Sequence, residues 1–375
     1  MKITKLLASV CIGASALLLA TASANARELK LGVGFPPGTA VYHGLDAFAK
    51  TLKEKSGGEL EVKMFALALL NLPQMLNGVR DGVVDIGFVL SPLFPSELPE
   101  THLAVDLALL GSNPWAMAGA MTEYVFTCQE CLAEHRKQNQ VYLGSSSTPP
   151  YMIISTKKAV TLDEIKGKKL RSGAAPWARW AQHFGAVSMH IPGNQVFEAV
   201  SAGTVDGALV SATELSNLRL IDVVKHITVG APTGTYHGIE NNNFNLTTWR
   251  SLTERQRQAV LEASAMSTAA VTWHYVADSI RNLKDAPQKG IQIHQAPADV
   301  VARTKAFIES DLAIIAQTAE KNSGIKNAAP KIARFRQLLQ KWEKLMPDQN
   351  WETKALADIY YREIYSKIDP KTHGM

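Results

Sequence analysis

Gly82-Val83-Val84-Asp85-Ile86-Gly87-Phe88-Val89 has an echo in Gly203-Thr204-Val205-Asp206-Gly207-Ala208-Leu209-Val210. Each begins with a glycine that can close a preceding helix in the left-handed conformation, and each carries an aspartate that can cap the next element. Each then enters an apolar run that reads as a buried strand. Outward from the first, Glu28-Leu29-Lys30-Leu31-Gly32-Val33-Gly34 alternates as a strand and leads into the loop Phe35-Pro36-Pro37-Gly38. Ala40 to Lys55 repeats apolar residues at helical spacing, with Val41, Leu45, Phe48 and Leu52 on one face. After Gly57-Gly58, Leu60 to Phe65 reads as a second strand, and Leu72 to Asp81 as a helix. Outward from the echo, Lys168 to Ser172 is strand-like, Pro176 to Phe184 helical, Val187 to Ile191 a strand, and Asn194 to Ala202 a helix. Strand, helix, strand, helix, strand is the order of a parallel α/β layer with right-handed crossovers. Two such units predict two similar lobes. From Leu252 onward the pattern is mainly helical, over Arg255 to Tyr275, Ala298 to Lys321, Ile332 to Leu345 and Trp351 to Ile368.

The chain begins with Lys2 and Lys5, an uncharged apolar run from Leu6 to Ala20, and the small residues of Ala24-Asn25-Ala26 before Arg27. Charge, hydrophobicity and small residues in that order read as a secretory leader cleaved after Ala26, and the apolar run is too short for a membrane span. Cys11 lies in that run, but Val10 stands where a lipoprotein site wants a small residue. No later stretch is long and apolar enough to cross a membrane, so no membrane insertion is expected after cleavage. Loss of Lys2 and Lys5 takes the formal net charge from +5 to +3. Scattered lysines and arginines with so small an excess exclude a nucleic-acid partner.

Cys128 and Cys131 remain. A zinc site needs four ligands and only His135 stands near, while no thioredoxin-like strand precedes the pair, so a local structural disulfide is expected. An exported hydrolase is the rival reading. It would need a nucleophile with its base, or a metal set. Neither Gly-x-Ser-x-Gly nor His-Glu-x-x-His occurs, and Gly32-x-Gly34 continues into Phe35-Pro36-Pro37, which is no dinucleotide fingerprint. A carboxylate pair of glycosidase type stays open, because such pairs lie far apart along a chain.

The run Leu162-Asp163-Glu164-Ile165-Lys166-Gly167-Lys168-Lys169-Leu170-Arg171 resembles a segment of the periplasmic solute-binding subunit of tripartite ATP-independent periplasmic (TRAP) transporters. Gly185-Ala186, then Gln195 to Val200 and Gly203 to Gly207, match the same family, as do Asn77 to Phe88 and Asn245 to Leu252. The matches keep the family's order over nearly all of the chain after Ala26. The resemblance implies two α/β lobes, each a mixed, mainly parallel sheet flanked by helices, closing like a hinge on a ligand in the cleft. It places residues 27–149 and about 234–275 in lobe I, and 150–233 with about 276–375 in lobe II. It also implies periplasmic delivery of a small organic acid to TRAP membrane subunits, without catalysis, cofactor or metal. An ABC-type binding protein shares this architecture but not the Lys166-Gly167-x-x-Leu170-Arg171 stretch.

By that resemblance Arg171 pairs with the ligand carboxylate. Chemistry agrees, since a guanidinium fork suits a carboxylate and an unpaired charge ending a buried strand is costly. A structural salt bridge is the alternative. The sequence departs from the family where a second arginine of several members falls on Tyr151. It departs again where Ala208, Leu209 and Val210 replace residues that are often Glu or Asn. Dicarboxylates, sialic-acid-like ligands and metal-bridged keto acids thereby lose partners, and a monocarboxylate on an apolar or aromatic body is expected. Phe35, Tyr42 and His43 are candidates at the first loop and helix. Trp177 is preferred over Trp115 and Trp180 because it opens the helix after Arg171. Tyr236, His237 and Asn241 to Asn243 complete the candidates, with His237 alternatively a hydrogen-bonding residue of the hinge.

Overall fold

The computed structural model describes residues 26–231 and 234–375. The leader assigned to residues 1–26 therefore lies, apart from Ala26, outside the described residues. The first lobe starts with β1 (Arg27–Val33), α1 (Ala40–Lys55), β2 (Leu60–Ala66), α2 (Met75–Arg80) and β3 (Ile86–Leu90). It continues through α3 (Pro99–Val105), α4 (Pro114–Phe126), α5 (Gln129–Lys137), β4 (Gln140–Val141) and β5 (Ser145–Ser146). The second lobe comes next, with β6 (Met152–Ser155), α6 (Leu162–Ile165), β7 (Lys169–Ser172), α7 (Ala175–His183), β8 (Val187–His190), α8 (Val196–Ser201), β9 (Gly207–Val210), α9 (Glu214–Asn217) and β10 (His226–Val229). The chain returns through β11 (Ile239–Asn245), α10 (Leu246–Ser251) and α11 (Glu254–Asp285), then adds β12 (Gln292–Gln295), α12 (Ala298–Ser323), α13 (Ala328–Leu345) and α14 (Thr353–Glu363).

The two sheets share one plan. In the first the order is β2-β1-β3-β11-β4, with β5 also on β11; in the second it is β12-β10-β6-β9-β7-β8. Strands β1, β2 and β3 are parallel, as are β7, β8 and β9. The next strand in each, β11 or β6, runs antiparallel to its neighbour β3 or β9. The paired motifs explain part of this likeness. Gly82 and Gly203 hold φ of +75° and +72°, closing α2 and α8 in the region that glycine occupies without steric cost. The aspartates cap no helix. Asp85 Oδ2 accepts the backbone N–H of Lys30 at 2.9 Å, and Asp206 Oδ2 that of Lys169 at 2.9 Å. Each carboxylate thus ties the loop before the third strand of its unit to the first strand, at its middle in lobe I and at its start in lobe II.

Sequence periodicity ended the long helix at Tyr275, but α11 continues to Asp285. At 1.5 Å per residue it is about 48 Å long and spans both lobes. It packs on α1 as far as Val271, against Gly44, and its far end reaches lobe II, where Asn282 Nδ2 donates to the carbonyls of Ala212 and Thr213. The C-terminal helices need a correction as well. The resemblance places about 276–375 in lobe II, yet Phe335, Leu339 and Trp342 of α13 and Leu356 and Tyr360 of α14 lie in the core that holds Trp115, Met121 and Tyr124 of α4. Tyr360 Oη donates to Trp115 O at 2.8 Å, and Trp249 Nε1 to His373 O at 2.8 Å. Only α12 keeps to lobe II along its first half, through Trp180 Nε1 to Thr304 Oγ1 at 3.1 Å and Arg179 to Asp311. Cys128 and Cys131 form a disulfide across the first turn of α5.

Candidate functional site

Open α/β sheets bind ligands beyond the carboxyl ends of their parallel strands. In lobe II that edge carries Arg171 at the end of β7, Val210 at the end of β9, and Tyr151 entering β6 beside Val210. In lobe I it carries Phe35 after β1 and Ser91 after β3. Between the lobes, two crossing segments form a short ribbon. Thr148 N donates to Tyr236 O at 2.9 Å, Tyr151 N to Gly234 O at 2.9 Å, and Tyr236 N to Thr148 Oγ1 at 3.1 Å. The ribbon brings Tyr236 back over the edge of lobe II.

Arg171 is 9% exposed, and among the described residues no carboxylate lies within ion-pair distance of it. Its Nε donates to the Ile191 carbonyl at 2.9 Å, which orients the fork and leaves both terminal nitrogens without a bond to the described residues. Gly173 makes the fold-back possible, since a β-carbon there would sit 2.7 Å from Arg171 Nη1. Burial works against the guanidinium's charge, while Tyr151, Glu214 and Tyr236 stand close enough to act on it. A buried guanidinium with both terminal nitrogens free of the described residues has the donor geometry that suits a carboxylate.

Aromatic rings wall the receptor. Tyr151 stacks on Trp177 with centroids 4.1 Å apart, and Tyr236 lies nearly parallel to both at 6.3 and 6.2 Å. Trp177 is buried, and its indole N–H has no partner among the described residues. Burial raises the phenols of Tyr151 and Tyr236, so both stay neutral. Glu214, one turn beyond β9, is raised to about 7 by burial, against the pull of Arg171 and with a push from Asp278.

The remaining candidates lie elsewhere. Phe35 packs edge-on to Phe88 at 5.6 Å, and Tyr42 is half-buried beside His43, which faces His274 of α11 at 5.2 Å. Val210 is buried among Met152, Ile154 and Ala208 in the core of lobe II. His237 is buried in the ribbon between the carbonyls of Thr235 and Ala104, at 3.1 and 2.9 Å, and burial lowers its pKa. Asn243 is inside lobe I, where its Nδ2 donates to Gln140 Oε1 and Glu240 Oε2. The structure thus gathers Arg171, Tyr151 and Trp177, adds Tyr236, and keeps Val210, His237 and Asn243 in packed interiors. Glu214 was missed. The available signal was an acidic residue four positions after a strand end in an apolar run. Among the described residues no group of three or more His, Cys, Asp or Glu side chains is placed to hold a metal, and no helix is long and apolar enough to cross a membrane.

The family model described as bacterial extracellular solute-binding protein, family 7, matches residues 31–321. A solute-binding protein of Albidiferax ferrireducens is 22% identical over 323 residues, spanning 84% of this chain and 92% of that protein. Similar solved structures include a TRAP periplasmic solute-binding protein of Bordetella bronchiseptica with bound (R)- and (S)-mandelate. It has a TM-score of 0.73 and 21% identity, over 84% of this chain and 99% of the other. A TRAP solute-binding protein of Rhodoferax ferrireducens in complex with copurified benzoate gives a TM-score of 0.74 at 19% identity, over 85% and 99%. At these identities the structural likeness speaks for the fold.

Proposed function

Since the chain belongs to family 7 of the bacterial extracellular solute-binding proteins, the solute receptors of TRAP transporters, we propose that it captures an organic acid with one carboxylate on an aromatic body. One observation carries the reading: Arg171, buried and without an ion-pair partner among the described residues, lies beside the rings of Tyr151, Trp177 and Tyr236. The guanidinium takes the carboxylate through its two idle nitrogens, and the rings take the apolar body. Tyr151 and Val210 supply no second cation or acid, which disfavours dicarboxylates and metal-bridged acids. Phe35 and Tyr42 would offer the lobe I side of the cleft, while His237 and Asn243 support the ribbon and the lobe I interior. Mandelate in the Bordetella relative and benzoate in the Rhodoferax one support an aromatic acid.

A ligand touching both lobes favours the closed form and shifts the hinge toward it. The closed form then docks on the TRAP membrane subunits, without chemistry on the ligand. The leader ending at Ala26 sends the chain to the periplasm. A thermal-shift screen over organic acids tests the reading, because a ligand bound to the folded state raises the melting temperature by mass action. Benzoate, mandelate and related monoacids should give the large shifts. A dicarboxylate bound more tightly than its monoacid counterparts in calorimetry would overturn it.

A further inference from the structure

Arg179 follows Trp177 by two residues on α7, about 200° round the helix, so α7 turns one side to the ring wall and another to the partners of Arg179. Its Nε donates to both carboxylate oxygens of Asp311 on α12, at 2.9 and 3.0 Å. Its Nη1 stands 3.8 Å from Oδ2 of Asp106, which ends α3 in lobe I. Arg179 Nη2 and Asp106 Oδ1 are both buried and lack a hydrogen-bond partner among the described residues. Helix α3 is fixed to lobe I, because the Glu134 carboxylate of α5 accepts the N–H groups of Glu100 and Thr101 at 2.8 and 2.7 Å. It also adjoins the hinge: His237 Nε2 of the ribbon bonds Ala104 O at 2.9 Å, and Ala108 and Leu109 share a core with Trp177 and Trp180. An acid at a helix C-terminus meets the negative end of the helix dipole and is stabilised by a cation. His102, 3.8 Å from Asp106 Oδ1, supplies no charge near neutral pH, since burial lowers its pKa. Among the described residues the remaining ion-pair partner of Asp106 is Arg179, in the other lobe.

We propose that Asp106 and Arg179 form a tie between the lobes that holds them in the arrangement that binds ligand, which makes Arg179 a positioning residue for capture. In this arrangement Arg171, Tyr151 and Trp177 are brought together and shielded from solvent. The proposal rests on the cleft between the lobes being the binding site. Asp311 holds the guanidinium by its Nε within lobe II, and a terminal nitrogen is left to reach the acid of lobe I. A pair that exists only while the lobes are together adds its energy to that arrangement alone. The apparent affinity of any cleft ligand then scales with the population of that arrangement. The tie therefore acts by the same factor on every ligand, whereas the ring wall discriminates among them.

Spin labels on K50C in α1 and V187C in β8, both exposed positions, report the distance between the lobes by pulsed electron resonance. Cys128 and Cys131 are joined in a disulfide and stay unlabelled. Without ligand, D106N should give a broader distribution reaching longer separations than the native side chain gives, and saturating benzoate should bring the two distributions together. In calorimetry D106N should weaken benzoate and mandelate by one common factor, roughly 2-fold to 5-fold. Adding D106N to R179Q should cause no further loss. Should R179Q, which strands the buried Asp311, fail to fold, D106N carries the test alone because it spares that pair. Superimposable ligand-free distributions for D106N and the native side chain overturn the proposal. So does an affinity that is unchanged or increased in D106N, or a loss confined to one of the two acids. If neither acid binds the native protein, the aromatic-acid reading fails, and the ligand-free distances still decide for or against the tie.

Discussion

Replacing Arg171 by Met should make the ligand-free protein more stable and capture much weaker. The two effects have opposite signs because the residue is buried and carries a charge that no described carboxylate pairs. An apolar side chain of similar length removes a desolvation cost of several kcal/mol, and replacement of buried ionic groups by hydrophobic ones is worth about 1–4 kcal/mol. Against that stands the lost hydrogen bond to the Ile191 carbonyl, a contribution of about 1 kcal/mol. The net is a gain of roughly 0–3 kcal/mol, or up to about 4 °C for a chain of this size. Capture loses a desolvated charge-assisted pair, about 2–4 kcal/mol, which is roughly 30-fold to 1,000-fold in Kd. Scanning calorimetry without ligand and titration calorimetry with the strongest acid of the screen read the two quantities separately. A ligand-free melting temperature that falls by several degrees, with affinity lost only as folding is lost, would show Arg171 to be a structural cation and refute the argument.

Trp177→Phe keeps a ring against Tyr151 but shortens the stack, and aromatic acids should bind roughly 2-fold to 12-fold more weakly with little change for aliphatic acids of equal charge. Competition binding between the two classes measures this. Glu240→Gln replaces the buried carboxylate that His135 Nε2 bonds at 3.1 Å by a neutral amide and should cost about 1.5–3 kcal/mol in denaturant melts. Burial alone would lower the pKa of His135, but Glu240 and the Cys131 carbonyl outweigh it and raise it. The native protein should therefore lose stability as pH rises above about 6.5, the unperturbed value, and Glu240→Gln should flatten that slope. His373 behaves oppositely, since burial lowers it to about 4. Its contribution is complete above about 6.5 and disappears as pH falls toward that lower value, on the order of 3 kcal/mol, and His373→Gln should remove this part of the acid profile in pH-dependent melts.

The echo of Gly82 to Asp85 in Gly203 to Asp206 made both α/β units legible, because it is a local event: a helix stop and a strand clamp within a few residues. Arg171 drew notice through the family resemblance of Lys166-Gly167-x-x-Leu170-Arg171, while its spacing alone fitted a structural salt bridge equally well. Partnership at a distance failed to show. The stripe of Ile332, Phe335, Leu339 and Trp342 says that a helix has a buried face, but not which lobe buries it. Asn241, Asn242 and Asn243 read as polar lining from composition. Their amides instead bond Ser146, Ser264 and Gln140 inside lobe I, with each side chain fully buried. Glu214 showed in the sequence only as an acid four positions after a strand end, because its surroundings are set by Arg171, 43 positions before it, and Asp278, 64 positions beyond it.

The placement of α13 and α14 has a kinetic side. Lobe I is assembled from three separated pieces of chain, with Tyr365 Oη bonding Leu143 O and His373 Nε2 bonding Tyr142 O across separations of 222 and 231 residues. Most of the lobe II sheet comes instead from one unbroken stretch, β6 to β10. Short-range contacts form before long-range ones, because ordering a long intervening loop costs entropy before any contact repays it. The half of the cleft bearing Arg171 is thus complete early, while the half bearing Phe35 waits for the last residues of the chain. A molecule cut short near residue 345 would carry the finished lobe II edge that holds Arg171 opposite an unfinished lobe I.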